Sequence, residues 1–424
     1  MRFLGVSLAF VAAVAALATG GCLDEPTDTD VEPIRIGVLS PLTGGLAGVG
    51  GSLVDAALLA EQEIAALGGL LGGRPVEFII ADTQTDEAKA REAALRLVRD
   101  DQVVAVIGAA ASSSSLAAQE VTGPAKVPQI SCCSTSSALR HVQPAGDRYL
   151  FRTVPSDLLQ VTVVGRVAKE RGCKKLAVLH LDDAYGQPFG DAIAAQVPGL
   201  AGLEVVLQVP FADERPDYVA EVQRVRDAQP DCIALVAFQA SGGAILRDWH
   251  SLADKPEVTW IGTDGVRDDK FVEAAGSREA VDGVLGTAPI TAPAVETYRS
   301  FAGNYEATFG KPPEIFNGNQ YDAAILVLLA IEKAGVTDGT AIRDALYQVS
   351  SDNGDGGRFY GPGDLGEALT RLREGEPIDY LGASGPVDLD SFGEVVADYE
   401  IWRYDAASNA FVTEYTVSAT ELGE

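Results

Sequence analysis

The 424-residue chain is short of positive charge: 32 Lys and Arg stand against 61 Asp and Glu, a formal net charge of -29 at pH 7. That balance excludes a nucleic-acid partner, because a phosphate backbone needs a cationic surface to displace its counterions. It suits an exposed protein kept soluble by its own charge. Histidine is scarce too, with three residues scattered at 141, 180 and 250, and none of the five cysteines has metal-ligand spacing, so no metal site is read here. No Gly-x-Ser-x-Gly elbow occurs, and the glycines at 44, 45, 48, 50 and 51 do not make a Gly-x-Gly-x-x-Gly fingerprint. His180, Asp182 and the many serines make a triad only on distances that the sequence does not supply. Neither an enzyme nor a cofactor is expected.

The features that are present begin at the N-terminus. Arg2 precedes an apolar stretch over 3–18, too short and too early for a membrane span, which ends in Thr19-Gly20-Gly21-Cys22. Residues 1–21 read as an export signal. The small residues before Cys22 resemble the lipobox of bacterial lipoproteins, whose cysteine takes lipid and becomes the mature N-terminus; an ordinary signal peptide with a coincidental cysteine is the alternative. Over 22–33, Asp24, Glu25, Asp28, Asp30 and Glu32 with Pro26 and Pro33 make a hydrated tether between membrane and folded body. Export permits disulfides. Cys173 and Cys232, each near an apolar strand start, suit buried thiols or a bridge equally. Cys132 and Cys133 stand too close for a loop-closing bridge and are expected as two free thiols.

About 400 mature residues suffice for two domains. Strand, loop and helix alternate: strands at 34–39, 75–81, 103–108 and 128–131 with helices at 52–67, 85–100 and 115–122, then 151–155 leading out. A second unit repeats the pattern with strands at 174–180, 205–209, 232–237 and 259–262 and helices at 161–169, 190–197, 218–228 and 243–252. This is an α/β fold of two doubly wound, Rossmann-like lobes. Helices at 295–309 and 320–335 return to the first lobe, and segments at 386–389 and 399–404 to the second. The expected division is 34–152 with 287–377 for lobe 1 and 153–286 with 378–415 for lobe 2. Open α/β sheets bind ligands beyond the carboxyl ends of their strands, so two facing lobes make a cleft.

Candidate ligand contacts lie at those strand ends. The serines at 112–115 follow one strand and precede a helix, where hydroxyls and free amides converge on an anion; helix capping is the simpler reading. Ser-Cys-Cys-Ser-Thr-Ser-Ser at 131–137 repeats the arrangement after the next strand. Asp264 ends a strand of the second unit and is placed to bind an ammonium group, though it also fits a turn before Gly265. Tyr185, and Phe238 with Gln239, follow two more strands in the same lobe.

Taken together, Ile-Arg-Ile-Gly-Val-Leu-Ser-Pro-Leu-Thr-Gly at 34–44, the glycine-flanked strand at 68–84, Val-Ile-Gly-Ala-Ala-Ala-Ser-Ser-Ser at 106–114, Asp-Asp-Ala-Tyr-Gly-Gln at 182–187, Trp-Ile-Gly-Thr-Asp-Gly at 260–265 and Ser-Gly-Pro-Val-Asp-Leu-Asp at 384–390 form a specific set. The chain resembles the solute-binding proteins of branched-chain amino-acid ABC transporters, the Leu/Ile/Val-binding or type I periplasmic family. The resemblance covers most of 34–404. It implies two lobes joined by three crossings that close on a ligand without transforming it and deliver it to a membrane permease. It further implies a ligand carboxylate at Ser112, contacts at Ser134 and Thr135, a closing aromatic at Tyr185, a further contact at Phe238 or Gln239, and an ammonium partner at Asp264. A receptor of the same fold for an amide or signalling metabolite is the second reading. Two positions depart from the family: Val49 where its first loop often has an aromatic, and Cys132-Cys133 where it often has Pro-Gly.

Overall fold

Short apolar runs separated by helical stretches bury both of their faces only as parallel strands covered by helices, and the chain builds two such sheets. The computed structural model describes residues 31–290, 295–351 and 358–422; the export segment, Cys22 and most of the acidic tether lie outside the described residues. The first sheet runs Val76–Asp82, Ile34–Ser40, Ala105–Ile107, Gln129–Ser131, Leu150–Arg152, every neighbouring pair parallel. The second runs Glu204–Phe211, Lys175–Leu181, Cys232–Val236, Thr259–Gly262, Leu285–Pro289 in parallel, then adds Tyr399–Asp405 and Ala410–Val417 antiparallel. Each sheet lays its first strand between its second and third, so the winding reverses beside that strand and leaves a crevice at its carboxyl end.

The chain passes between the sheets after Arg152, between Pro289 and Glu296, and before Tyr399. Buried Arg152 ties two of these passages together. Its Nη2 donates to Glu394 Oε1 at 2.6 Å, and its Nη1 donates to the carbonyls of Ser134 and Ser136 at 3.1 and 3.0 Å. The first lobe's core is filled by Asn317–Ala334, buried all along 317–332 and sharing one apolar cluster with Ile34, Ile36 and Val38. Each Leu or Ile fully buried there contributes about 1.5–3 kcal/mol. Among the described residues no helix is long and apolar enough to cross a membrane.

Several elements differ from the sequence reading. The first helix is Ala47–Ala66, starting at 47 rather than 52. Gly50 lies within it, where a Cβ would stand 2.0 Å from the Pro41 carbonyl oxygen. The segment leading out at 151–155 contains a fifth strand, Leu150–Arg152. The return at 386–389 stays with the first lobe: Val387 and Leu389 join its core with Ile378 and Tyr380, and Gly385–Pro386 pairs with Asp379–Gly382. The added hairpin is made by Tyr399–Asp405 and Ala410–Val417. Cys173 and Cys232 form a disulfide near the starts of two adjacent strands. Cys132 and Cys133, expected as free thiols, are bonded to each other. They close no loop; the turn leaving Gln129–Ser131 brings adjacent sulfurs together, a case that loop-closing spacing does not cover.

Candidate ligand-binding site

The crevice of the first sheet opens where Ala105–Ile107 ends beside Ile34–Ser40. Gly108 permits the close approach: its φ is +112°, and a Cβ there would lie 2.2 Å from the Leu39 carbonyl oxygen. The serines at 112–115 are not a loop before the next helix but its first turn, Ser112–Thr122, with Ala111 at the N-cap and no side chain capping it. Helix amides at this end have no intrahelical acceptor, so they remain available to an anion. Ser115 and Ser134 serve as internal struts. Ser115 Oγ accepts from Ala109 N at 3.0 Å and lies 2.8 Å from Ser134 Oγ, which also reaches the Ala110 carbonyl at 3.0 Å. Ser134 therefore stands behind the wall, while Ser112 and Thr135 line the cavity. Ser112 Oγ accepts from Ser136 N at 3.3 Å, and Ser136 Oγ donates across the cleft to the Ala184 carbonyl at 2.6 Å.

The second lobe presents its side chains at equivalent strand ends. Tyr185 and Phe238 stand just before Gly186–Ala201 and Gln239–Ser251 and stack with ring centroids 5.6 Å apart and planes 5° from parallel. The Tyr185 hydroxyl lies 2.8 Å from Thr263 Oγ1. Asp264 follows Thr259–Gly262 and accepts from Gln160 Nε2 at 2.9 Å; the same amide also donates to the Thr287 carbonyl at 3.0 Å. Gln239 faces the cavity, and its Oε1 has no hydrogen-bond partner among the described residues.

The electrostatics of this wall are unusual. Asp264 is 6% exposed, and burial pushes its carboxyl up to about 6 against the hydrogen bond from Gln160. Asp157, on the first turn of Asp157–Glu170, is 2% exposed, and neither of its carboxylate oxygens has a hydrogen-bond partner among the described residues. Burial, and then the Asp264 charge, raise Asp157 well above the ordinary carboxylate range; the Thr135 hydroxyl eases this in part without meeting hydrogen-bond geometry. Two carboxyls in one dry site resist ionising together. The pair thus offers about one negative charge; the buried Arg152 guanidinium favours the ionised form of Asp157 in part but is itself paired with Glu394.

Ser112, Thr135, Tyr185, Phe238, Gln239 and Asp264 all border one cavity of about 40 Å³. Its remaining surface is mostly apolar, from Leu46, Val49, Cys133, Ile315 and Phe316. Sequence reasoning missed Asp157, Gln160, Ile315 and Phe316. Asp157 follows Ser156, whose side chain caps the helix, and so reads as an ordinary first-turn acid. Phe316 carries a local mark only in the structure, a left-handed φ of 62° that a bulky residue seldom adopts.

A family model described as periplasmic binding protein matches residues 33–371. The chain is 25% identical over 375 residues to the chemotactic signal transduction system substrate-binding protein BasB of Halobacterium salinarum, covering 87% of this chain and 86% of that one. It is 29% identical over 342 residues to an amino acid binding protein of Pseudomonas aeruginosa, covering 79% and 85%. Its fold superposes on a leucine binding protein, LivK, from Thermotoga maritima with a TM-score of 0.76 at 23% identity, over 91% of this chain and 99% of that one. The match to the family model, together with the two wound sheets and the cleft between them, means that the chain belongs to the periplasmic binding protein family and has its type I fold.

Proposed function

We propose that this protein is the solute-binding component of an ABC importer, exported and held at the membrane by lipid on Cys22, which closes on an amino acid and passes it to a permease unchanged. The observation that carries this reading is the charge of the cavity. Among the described residues its lining holds one charged side chain, Asp264, and no cation, so the ligand supplies the positive charge. Across from Asp264, the Ser112 and Thr135 hydroxyls and an uncapped helix start are donors suited to a carboxylate. A zwitterion satisfies both walls. A carboxylate without an amine leaves Asp264 buried without a counter-charge and gains nothing from that wall. The name of the Pseudomonas relative supports the same ligand class.

Calorimetry with amino acids, the same acids without the amine, their amides and neutral sugars tests this. Amino acids are expected to bind and the singly truncated analogues to fail; binding confined to amine-free acids or sugars sinks the reading. The BasB relative favours a second role, ligand sensing, in which the same cleft reports to a signalling partner. Loss of ligand uptake in a deletion strain supports import, and loss of taxis with normal uptake supports sensing. For the anchor, two or more acyl chains are sufficient where one is marginal. Membrane fractionation with mass analysis of the mature N-terminus decides it, and a soluble, unlipidated mature protein rules it out.

A further inference from the structure

The bond between Cys132 and Cys133 plays no part in that reading, yet it stands on the cavity wall. Cys133 lines the space with Val49 and Phe316, and Cys132 is 1% exposed within the apolar cluster where first-lobe residues meet the second lobe. The turn is held from behind. Ser131 Oγ accepts from Cys133 N at 3.3 Å and Ser134 N at 3.0 Å, and donates to the Ala109 carbonyl at 2.6 Å. A ring closed over two adjacent residues removes backbone freedom from this turn before any ligand arrives, which lowers the ordering cost of binding. Its sulfurs are polarizable and apolar, with little demand for a hydrogen bond.

Ser112, Thr135 and Asp264 account for the two charged ends of an amino acid, so the surface left for Cys133 is that facing the side chain. We propose that the Cys132–Cys133 disulfide is a specificity wall which, with Val49 and Phe316, forms the subsite for an aliphatic or thioether side chain of the ligand. The inference rests on the amino-acid reading of the cleft. A fixed apolar wall selects between side chains by about tenfold to 200-fold per methylene, and it acts little on the carboxylate and ammonium contacts that every amino acid shares.

The test is calorimetry of glycine, alanine, valine, leucine and methionine with wild type and with C132S/C133S, after alkylation and mass analysis have counted free thiols in the folded wild type. Wild type is expected to prefer the larger side chains by about tenfold or more. The double variant is expected to lose that preference while glycine and alanine shift by less than about threefold. A C132A/C133A variant, checked by thermal melting, repeats the measurement if the serine variant does not fold. Two free thiols in wild type overturn the proposal. So does an equal loss for all five ligands, which assigns the ring to holding the Thr135 turn, and so does an unchanged preference. A wild type that binds none of the five instead removes the amino-acid reading itself, an outcome distinct from these three.

Discussion

In both sheets the connections leaving the first, third and fourth strands reach the cavity, but in the first lobe they deliver Val49, Ser112 and Thr135, and in the second Tyr185, Gln239 and Asp264. The shared winding supplies equivalent positions and leaves the chemistry to the side chains. The first lobe's half is neutral and already braced, with Ser115, Ser131 and Ser134 bonded among themselves and to the carbonyls of Ala109 and Ala110. The second lobe's half carries the charge and the aromatic face. A ligand that bridges them meets donors on one side and an acid on the other, and in this structure the two walls already border one cavity, with Ser136 bonded across the cleft to Ala184. Hinge closure on such a ligand needs tighter binding to the closed arrangement than to the open one.

Two buried aspartates make the contrast quantitative. Asp322 in the first lobe and Asp264 in the second are both pushed up to about 6 by burial. Asp322 accepts from the Tyr380 hydroxyl at 2.8 Å, Ala383 N at 2.7 Å, Ser384 N at 2.8 Å and the Ser384 hydroxyl at 2.6 Å. It is a saturated clip on the loop at 382–384. Asp264 has a side-chain amide and faces the cavity beside an unpartnered Asp157. Asp264→Asn is therefore expected to weaken amino-acid binding by about 2–5 kcal/mol, through loss of a charge-assisted bond and the ligand ammonium left without its counter-charge. Asp322→Asn is expected to lower the melting temperature and leave affinity within about twofold. Calorimetry and thermal melting on both variants measure this. An affinity loss confined to Asp322→Asn would reverse the assignment of roles.

Acidification separates the same two effects in unmodified protein. A carboxyl whose folded-state value is raised takes up its proton before the unfolded chain does. Its burial cost is present above about pH 6 and is relieved as pH falls from there toward 3.8. Both aspartates then make the empty protein more stable on mild acidification. Ligand affinity moves the opposite way, because the ammonium needs an ionised Asp264. It is expected to be flat near neutrality and to fall by about tenfold per pH unit below about 6. Binding near pH 6 should release protons, seen as a heat that depends on the buffer's ionisation enthalpy. A pH-independent affinity between 7 and 5 would remove Asp264 from contact with an ammonium.

In the first lobe Ser112 and Thr135 were legible, because they follow apolar strands and polar runs there are easy to see, but Ser134 of the same run stands behind the wall. Asp264, Tyr185, Phe238 and Gln239 were legible by the same rule. Asp157, Gln160, Ile315 and Phe316 were not: Ile315 and Phe316 reach the cavity, and Gln160 reaches Asp264 from behind it with Asp157 nearby, only because the chain crosses between sheets, and no local pattern encodes a crossing. The same long-range packing decides that the segment at 386–389 stays with the first core and that Ala410–Val417 joins the second sheet. The bond between Cys132 and Cys133 escaped for a different reason. Adjacent cysteines have no spacing to interpret, and only the turn geometry pairs them.

The smallest expected effect falls on the first lobe's own anchor. Ser112 Oγ is one donor among several, beside the uncapped helix start and the Thr135 hydroxyl, and among the described residues its one hydrogen bond is a long one from Ser136 N. Removing one neutral hydrogen bond from such a set costs about 0.5–1.5 kcal/mol, so Ser112→Ala should weaken amino-acid binding by about two- to tenfold. Its pH profile should keep the wild-type midpoint, because no titrating side chain from the first lobe lines the cavity among the described residues. A shifted midpoint in Ser112→Ala would mean that the hydroxyl wall and the acid pair act as one network. The carboxylate and ammonium contacts would then have to be measured by a double-mutant cycle with Asp264→Asn, whose coupling term should otherwise be near zero.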